Sequence, residues 1–444
     1  MGDLTGQSTE LLQTLIRNAC VNDGTVESGG EHRNAEVLQT YLEGAGLDVE
    51  RFESAPGRTS IVARIEGTDP DAPTLCLMGH TDVVPVNPAG WSQDPFGGEI
   101  IAGEVWGRGA IDMLNITATM AVVTRDLATS GFRPKGTLIY FGVADEEAGG
   151  RYGAEWMVDE HWDAVGCDYV LTEVGGWTVG STDGQRRIAV TVGEKGLAWR
   201  RLRVAGTPGH GSMPYGADNA LVTTAEVVRR LAEYRPAPYL DELWNAQVDA
   251  LDLPDDLKAA LRDPARITGT LDQLPPPMAR RCHAATHTTF SPNVVSGGQK
   301  TNTIPDEVIL EVDVRTVPGT TAEDVDAHIR EALGDLAGRV EISPLNNEMA
   351  TRSSFDNPLW DILSRRVQVA YPEAELLPGM VVGGTDARFF RRKGAVGIGA
   401  ALFSPEVTFE SFGSRFHGND ERVDVESLGL TADLWLGVTK ELLG

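Results

Sequence analysis

Apolar residues recur along the chain with two distinct periods. In residues 7–20, Leu11, Leu12, Leu15 and Ile16 fall on one face of a helix. A second amphipathic helix is predicted over 33–45, closed by Gly44 and Gly46. Short β-rich runs follow at 59–65 and 74–78, then a helix over 117–130. Residues 136–143, Gly136-Thr137-Leu138-Ile139-Tyr140-Phe141-Gly142-Val143, are almost all apolar. A strand of that kind needs cover on both faces of its sheet. The alternation of helix and strand points to α/β layers.

The pattern changes near residue 190. Strands are predicted at 189–192 and 198–204, with Gly193-Glu194-Lys195-Gly196 as the turn between them. A helix over 219–234 precedes a Pro-rich stretch, 235–285, that reads as short helices, one of them over 240–250. Strands at 286–296 and 307–315, a helix over 321–333 and a strand at 340–343 complete a β-α-β-β-α-β unit. A helix over 357–371, the run Gly394-Ala395-Val396-Gly397-Ile398-Gly399 and a closing helix over 425–443 resume the first pattern. One domain is therefore expected to be inserted in another, with parts at 1–192, 193–346 and 347–444.

Charge narrows the partners. The 444 residues carry a formal net charge of −27. Phosphate binding needs clustered Lys and Arg, so neither nucleic acid nor an anionic membrane surface is an expected partner. No apolar run approaches the ~18 residues that span a bilayer. The opening Asp3-Leu4-Thr5-Gly6-Gln7 has neither a basic stretch nor an apolar run, so no secretory signal is expected. Cys20, Cys76, Cys167 and Cys282 are isolated, with no CxxC pair. A reducing cytoplasm is the expected location.

Chemistry-bearing residues collect at strand ends, where α/β sheets place their ligand sites. Gly79-His80-Thr81-Asp82 follows an apolar strand, and suits either a metal-binding His with its orienting Asp or an ordinary loop hydrogen bond. Gly107-Arg108-Gly109-Ala110-Ile111-Asp112 ends in an acid that could equally cap the next helix. Asp145-Glu146-Glu147 sets three carboxylates together after a buried strand; it is a solvated acidic turn or a cation site. Thr172-Glu173 places another acid at a strand end, and Arg415-Phe416-His417-Gly418-Asn419-Asp420-Glu421 adds a His before the last helix. His, Asp, Glu, Glu and His at five such positions form an N/O donor set of the kind zinc takes. His283 and His287, four apart, lack a nearby acid motif.

The order and spacing of these motifs resemble the M20 metallopeptidases over nearly the whole chain. The resemblance rests on residues 79–85 (Gly-His-Thr-Asp-Val-Val-Pro), Asp94-Pro95-Phe96, the loop ending at Asp112, Glu146-Glu147, Thr172-Glu173 and His417. It implies a zinc-peptidase-like α/β domain, its mixed central sheet flanked by helices, and an inserted α+β lid and dimerisation domain. It implies that His80 and Glu173 bind one divalent metal ion and Glu147 and His417 a second, with Asp112 bridging. The metal would be Zn2+, with Co2+ or Mn2+ as alternatives. Glu146 would be the general base and Asp82 would orient His80. The Asp112-Met113 bond would be cis. The segment Gly206-Thr207-Pro208-Gly209-His210-Gly211-Ser212 resembles the one whose His reaches a partner subunit's site, where His210 would stabilise an oxyanion.

Asn302 and Arg315 match lid positions that contact substrate, although Arg315 is as well explained by a structural ion pair. Gly383-Gly384-Thr385-Asp386 matches a loop that lines the pocket. The chain departs from the family in having Leu114-Asn115 where Lys-Gly is common, and in its larger lid. Glu at 173 goes with aminoacylases, carboxypeptidases and deacetylases; Asp is more typical of di- and tripeptidases. The expected activity is hydrolysis of an N-acyl amino acid, or of a peptide bond next to a free carboxylate, by a homodimer. A dipeptidase is the alternative within the family. A catalytically inactive metal-binding dimeric scaffold is the alternative outside it.

Overall fold

The computed structural model describes residues 3–179 and 185–444. The chain divides into two compact units. The first takes Met1–Gly193, Arg352–Gly379 and Thr385–Gly444; the second takes Glu194–Thr351 and Met380–Gly384.

The first unit is built on a mixed sheet. Its strands run in the spatial order Val49–Ala55, Arg58–Ile65, Leu138–Val143, Leu75–His80, Tyr169–Thr172, Val396–Gly399 and Arg187–Glu194. Leu75–His80 lies parallel to both Leu138–Val143 and Tyr169–Thr172, and Val396–Gly399 is parallel to Tyr169–Thr172. The all-apolar strands have both faces covered, as their composition requires. On Leu75–His80, Leu75 and Leu77 enter one core cluster, Cys76 and Met78 the other. Leu138–Val143 alternates the same way, with Leu138 and Tyr140 opposite Ile139, Phe141 and Val143. This is the period-2 alternation of a strand dividing two apolar layers.

Helices Leu4–Arg17, Leu114–Thr129, Pro358–Ala370 and Val425–Leu443 supply the first layer. Ala154–Glu160 and Ala387–Arg392 supply the second. Leu114–Thr129 is buried on nearly every side, and Gly79 lets it come close. A Cβ at Gly79 would stand 2.9 Å from the Thr117 Cα. That is nearer than real side-chain carbons approach, so a larger residue would push the helix off the strand.

The second unit holds an antiparallel sheet in the order Thr289–Gly297, Glu307–Thr316, Arg200–Ala205, Val340–Pro344. Alternate residues of Glu307–Thr316, Val308, Leu310, Val312 and Val314, are buried. They pack under Ala220–Glu233 and Ala322–Leu333 through Val227, Leu231, Val325, Ile329 and Leu333. The Pro-rich stretch forms four short helices, Glu242–Ala250, Asp255–Leu261, Ile267–Leu271 and Pro276–Thr286, around Trp244, Val248 and Leu261.

The predicted hairpin at residues 189–204 does not form. Arg187–Glu194 and Arg200–Ala205 belong to different sheets. Glu194 and Lys195, expected at an exposed turn, are buried. The Lys195 Nζ donates to the carbonyls of Ala284 (2.8 Å) and His287 (2.6 Å), and Glu194 accepts from the Thr351 hydroxyl. Those interactions replace the solvent that a turn would offer. Among the described residues, no helix is long and apolar enough to cross a membrane.

Candidate dinuclear metal site

Three parallel strands of the first unit end at the same edge, and each end delivers part of the site. His80 closes Leu75–His80, Glu146 and Glu147 follow Leu138–Val143, and Glu173 follows Tyr169–Thr172. Asp112 comes from the loop before Leu114–Thr129, across an Asp112-Met113 bond that is cis, as the resemblance implies. Asp112 does not cap that helix, whose first turn has no side-chain cap. His417 comes from the turn after Phe409–Arg415.

Asp112 joins the two histidines. Its Oδ1 lies 3.2 Å from the His80 Nε2, and its Oδ2 lies 2.9 Å from the His417 Nε2. Glu173 Oε2 is 3.7 Å from the same His80 nitrogen, and Glu147 Oε2 is 3.1 Å from the His417 nitrogen. Two groups of donor atoms result, His80–Asp112–Glu173 and Asp112–Glu147–His417, sharing one carboxylate. These are the only such convergent groups among the described residues, so His283 and His287 are not part of one. Instead their rings stack, with centroids 4.4 Å apart.

The electrostatics show what this packing demands. Burial pushes the Glu173 carboxyl up to about 8, with Asp112 adding to the shift. Burial and Asp112 likewise raise Glu147, and burial and Glu173 raise Glu146 well above the ordinary carboxylate range. For Asp112, burial acts upward but is outweighed by the hydrogen bonds from His417 and His80, which hold it well below that range. Burial works against charge on both histidines. Hydrogen bonds to Asp112 and Glu173 nevertheless raise His80, and bonds to Asp112 and Glu147 push His417 up to about 10. The cluster therefore retains protons to offset its own negative charge. Glu147 also keeps a buried Oε1 with no hydrogen-bond partner. Two imidazoles, a shared carboxylate and an unpaired carboxylate oxygen fit divalent cations of the zinc type.

Asp82 reaches His80 chiefly through its backbone. The His80 Nδ1 lies 2.9 Å from the Asp82 carbonyl and 3.5 Å from its carboxylate. The carboxylate instead accepts from the backbone N–H groups of Glu146 (3.3 Å) and Glu147 (3.1 Å). Asn22 donates to Asp82 at 2.9 Å and to Asp145 at 3.2 Å. Asp145 is buried, so the acidic run is not a solvated turn. It faces Arg58 at 3.5 Å, and Arg58 is paired with Glu31 at 2.5 Å, all with buried side chains. Asp82 thus couples the histidine to the acidic turn.

The remaining predicted residues are placed as follows. His210 is exposed on the short strand Gly209–His210, opposite Thr303, with its Nδ1 2.8 Å from the Ser212 hydroxyl. Asn302 adjoins it, its carbonyl accepting from the Gly211 N–H. Arg315 is engaged with Asp313 (2.7 Å) and the Val382 carbonyl (3.1 Å), as the ion-pair reading anticipated. Gly384 is half-buried; Thr385 is buried, and its carbonyl accepts from Arg388. Arg108 and Glu421, which the sequence did not single out, also adjoin the site. Both lie within motifs that the sequence did mark, Arg108 as the lone cation of a Gly-rich loop and Glu421 four residues after His417.

The sequence matches peptidase family M20/M25/M40 over residues 76–441. The chain belongs to that family. M20 enzymes act on amide and peptide bonds, and this M20 enzyme is a hydrolase of that kind. It is 27% identical over 402 residues to a probable carboxypeptidase S-like 2 of Dictyostelium discoideum, covering 86% of this chain and 74% of that protein. It is 28% identical over 424 residues to a succinyl-diaminopimelate desuccinylase of Rhodospirillum centenum, covering 94% of this chain and 92% of that protein. Its fold matches the crystal structure of the M20 family metallo-carboxypeptidase Sso-CP2 from Sulfolobus solfataricus. There the TM-score is 0.72 at 18% identity, covering 100% of this chain and 99% of that one.

Proposed function

We propose that this M20 hydrolase cleaves the amide bond of an N-acyl amino acid, or a peptide bond next to a free carboxylate. The observation that carries the reading is Asp112, one oxygen toward His80 and the other toward His417. His80, Asp112 and Glu173 would hold one divalent ion; Asp112, Glu147 and His417 would hold the other. Zinc is the metal assigned to both. When bound, such ions supply Lewis acidity and bring the pKa of water toward neutrality. Glu146 takes a proton from the attacking water, and the water oxygen bonds to the amide carbon. Glu146 then passes that proton to the leaving nitrogen as the C–N bond breaks.

A carboxypeptidase-like and a desuccinylase relative both support a substrate carrying a carboxylate beside the scissile amide. Arg315 is assigned to that carboxylate, exchanging its partly exposed partner Asp313. Gly384 and Thr385 are assigned to the pocket wall. Asn302 is assigned to substrate contact, and His210 to a neighbouring copy's oxyanion in a cytoplasmic homodimer. Edge strand Thr289–Gly297, with Val294 and Val295 exposed, supports association through the second unit.

The test is a panel of N-acetyl and N-succinyl amino acids and dipeptides, given to zinc-reconstituted protein with and without EDTA. Turnover of carboxylate-bearing amides, abolished by EDTA, is expected. Glu146→Gln should keep its metal and lose ~10²–10⁴-fold in kcat. Full activity in that variant would refute the assigned base. Two bound metals with no turnover of any amide would favour a scaffold instead.

A further inference from the structure

A buried ion pair stands behind the site and touches both halves of it. Arg108 and Glu421 are 2.6 Å apart, with side chains 3% and 0% exposed. Glu421 Oε1 accepts from the backbone N–H of Ile111 (2.8 Å) and of Asp112 (3.1 Å), and its carbonyl accepts from Gly107. The Arg108 guanidinium donates to the carbonyls of Gly418 (3.0 Å) and, more weakly, His417 (3.5 Å). It also lies over the Trp91 ring, 5.4 Å from its centroid. One member therefore grips the loop of Asp112 and the other grips the turn of His417.

That turn needs an external hold. His417 adopts φ +54° and Asp420 φ +56°, both in the left-handed region that non-glycine residues seldom occupy. The His417 side chain is 45% exposed, so core packing does little to aim its ring. A buried ion pair also adds little net stability over apolar residues of the same size. Its distinctive contribution here is geometric.

We propose that Arg108 and Glu421 are positioning residues that clamp the Asp112 loop to the His417 turn and so set the affinity of the Asp112–Glu147–His417 group for its ion. The proposal rests on the dinuclear reading above. The His80–Asp112–Glu173 group depends on the clamp less, because His80 and Glu173 sit at the ends of core strands.

The test is a Co2+ titration of metal-free protein, followed by visible absorption and by equilibrium dialysis, for wild type, Glu421→Gln and Arg108→Lys. Wild type should take up two ions. Each variant should bind one ion as wild type does and the other ~10–100-fold more weakly, the usual cost of losing such a supporting partner. Raising the metal concentration should restore kcat with KM unchanged. Melting of the metal-free proteins checks the fold. If Glu421→Gln does not fold, Arg108→Lys, which keeps the charge but not the forked donor, carries the test. Two unchanged affinities, or two that fall equally, would overturn the clamp. Fewer than two ions on wild type would instead overturn the dinuclear reading.

Discussion

His80 and His417 face the same carboxylate from opposite surroundings. His80 ends a core strand and is wholly buried, its carbonyl taking the Thr117 hydroxyl at 2.7 Å. Thr117 belongs to the central helix, so strand, helix and ligand are fixed together. His417 sits on a turn, its side chain 45% exposed, with Phe416 stacked against its ring at 4.6 Å. The first histidine is placed by the fold. The second is placed by the Arg108 bonds to the Gly418 carbonyl and, weakly, to its own, and by its side-chain contacts. A site assembled this way has one rigid half and one half whose geometry depends on local supports.

The largest effect that would test this contrast is expected from His80→Ala. Activity should vanish, and the metal-free protein should lose about 3–5 kcal/mol of stability, because Glu173 is left buried without its imidazole and Asp112 keeps only His417. Urea unfolding of the metal-free variant measures the second quantity. A variant as stable as wild type would show that the strand end does not depend on its histidine.

His417→Ala should abolish comparable activity at a smaller cost. Its ring is half-exposed, so the metal-free protein should lose less than the His80 variant does, although the buried Glu147 loses its imidazole as well. The same unfolding experiment decides the matter. Equal losses for the two histidines would erase the distinction between a rigid and a supported half.

The same contrast sets what the sequence could reveal. Apolar strands announce themselves by composition, so 74–78 and 136–143 pointed directly to Leu75–His80 and Leu138–Val143, and with them to the edge where His80, Glu146 and Glu147 lie. Asp112, Glu173 and His417 stood in the same strand-end donor set, and the family resemblance gave them their roles. Three things were hidden. The crossover at Glu194 and Lys195 looked like a turn, because burial of a charged pair by carbonyl and hydroxyl partners leaves no local pattern. Asp82 meets His80 mainly through its carbonyl, while its carboxylate accepts from Asn22 and from the Glu146 and Glu147 amides. Glu421 stands among 65 acids in a chain of charge −27, and only its distant partner Arg108 distinguishes it. Each depends on contacts between residues far apart in the chain, which periodicity does not encode.

The smallest expected effect is a slope with pH, and its sign separates metal-free from metal-loaded protein. In the metal-free fold, His417 holds its proton up to about 10, against 6.5 for an unperturbed imidazole. That stabilisation is complete below pH 6.5 and is lost as pH climbs toward 10. Glu173, raised from 4.5 to about 8, acts in the same direction across its own window. Metal-free protein should therefore lose stability from about pH 4.5 upward through Glu173, and more steeply above pH 6.5 where His417 joins it. Bound cations need these ligands deprotonated, so loaded protein should gain stability over the range where the free protein loses it. His417→Ala should flatten the metal-free slope between pH 8 and 10, where Glu173 has finished titrating. Thermal melts at matched ionic strength measure all three curves. Parallel slopes for free and loaded wild type would mean that metal and protons do not compete for these side chains.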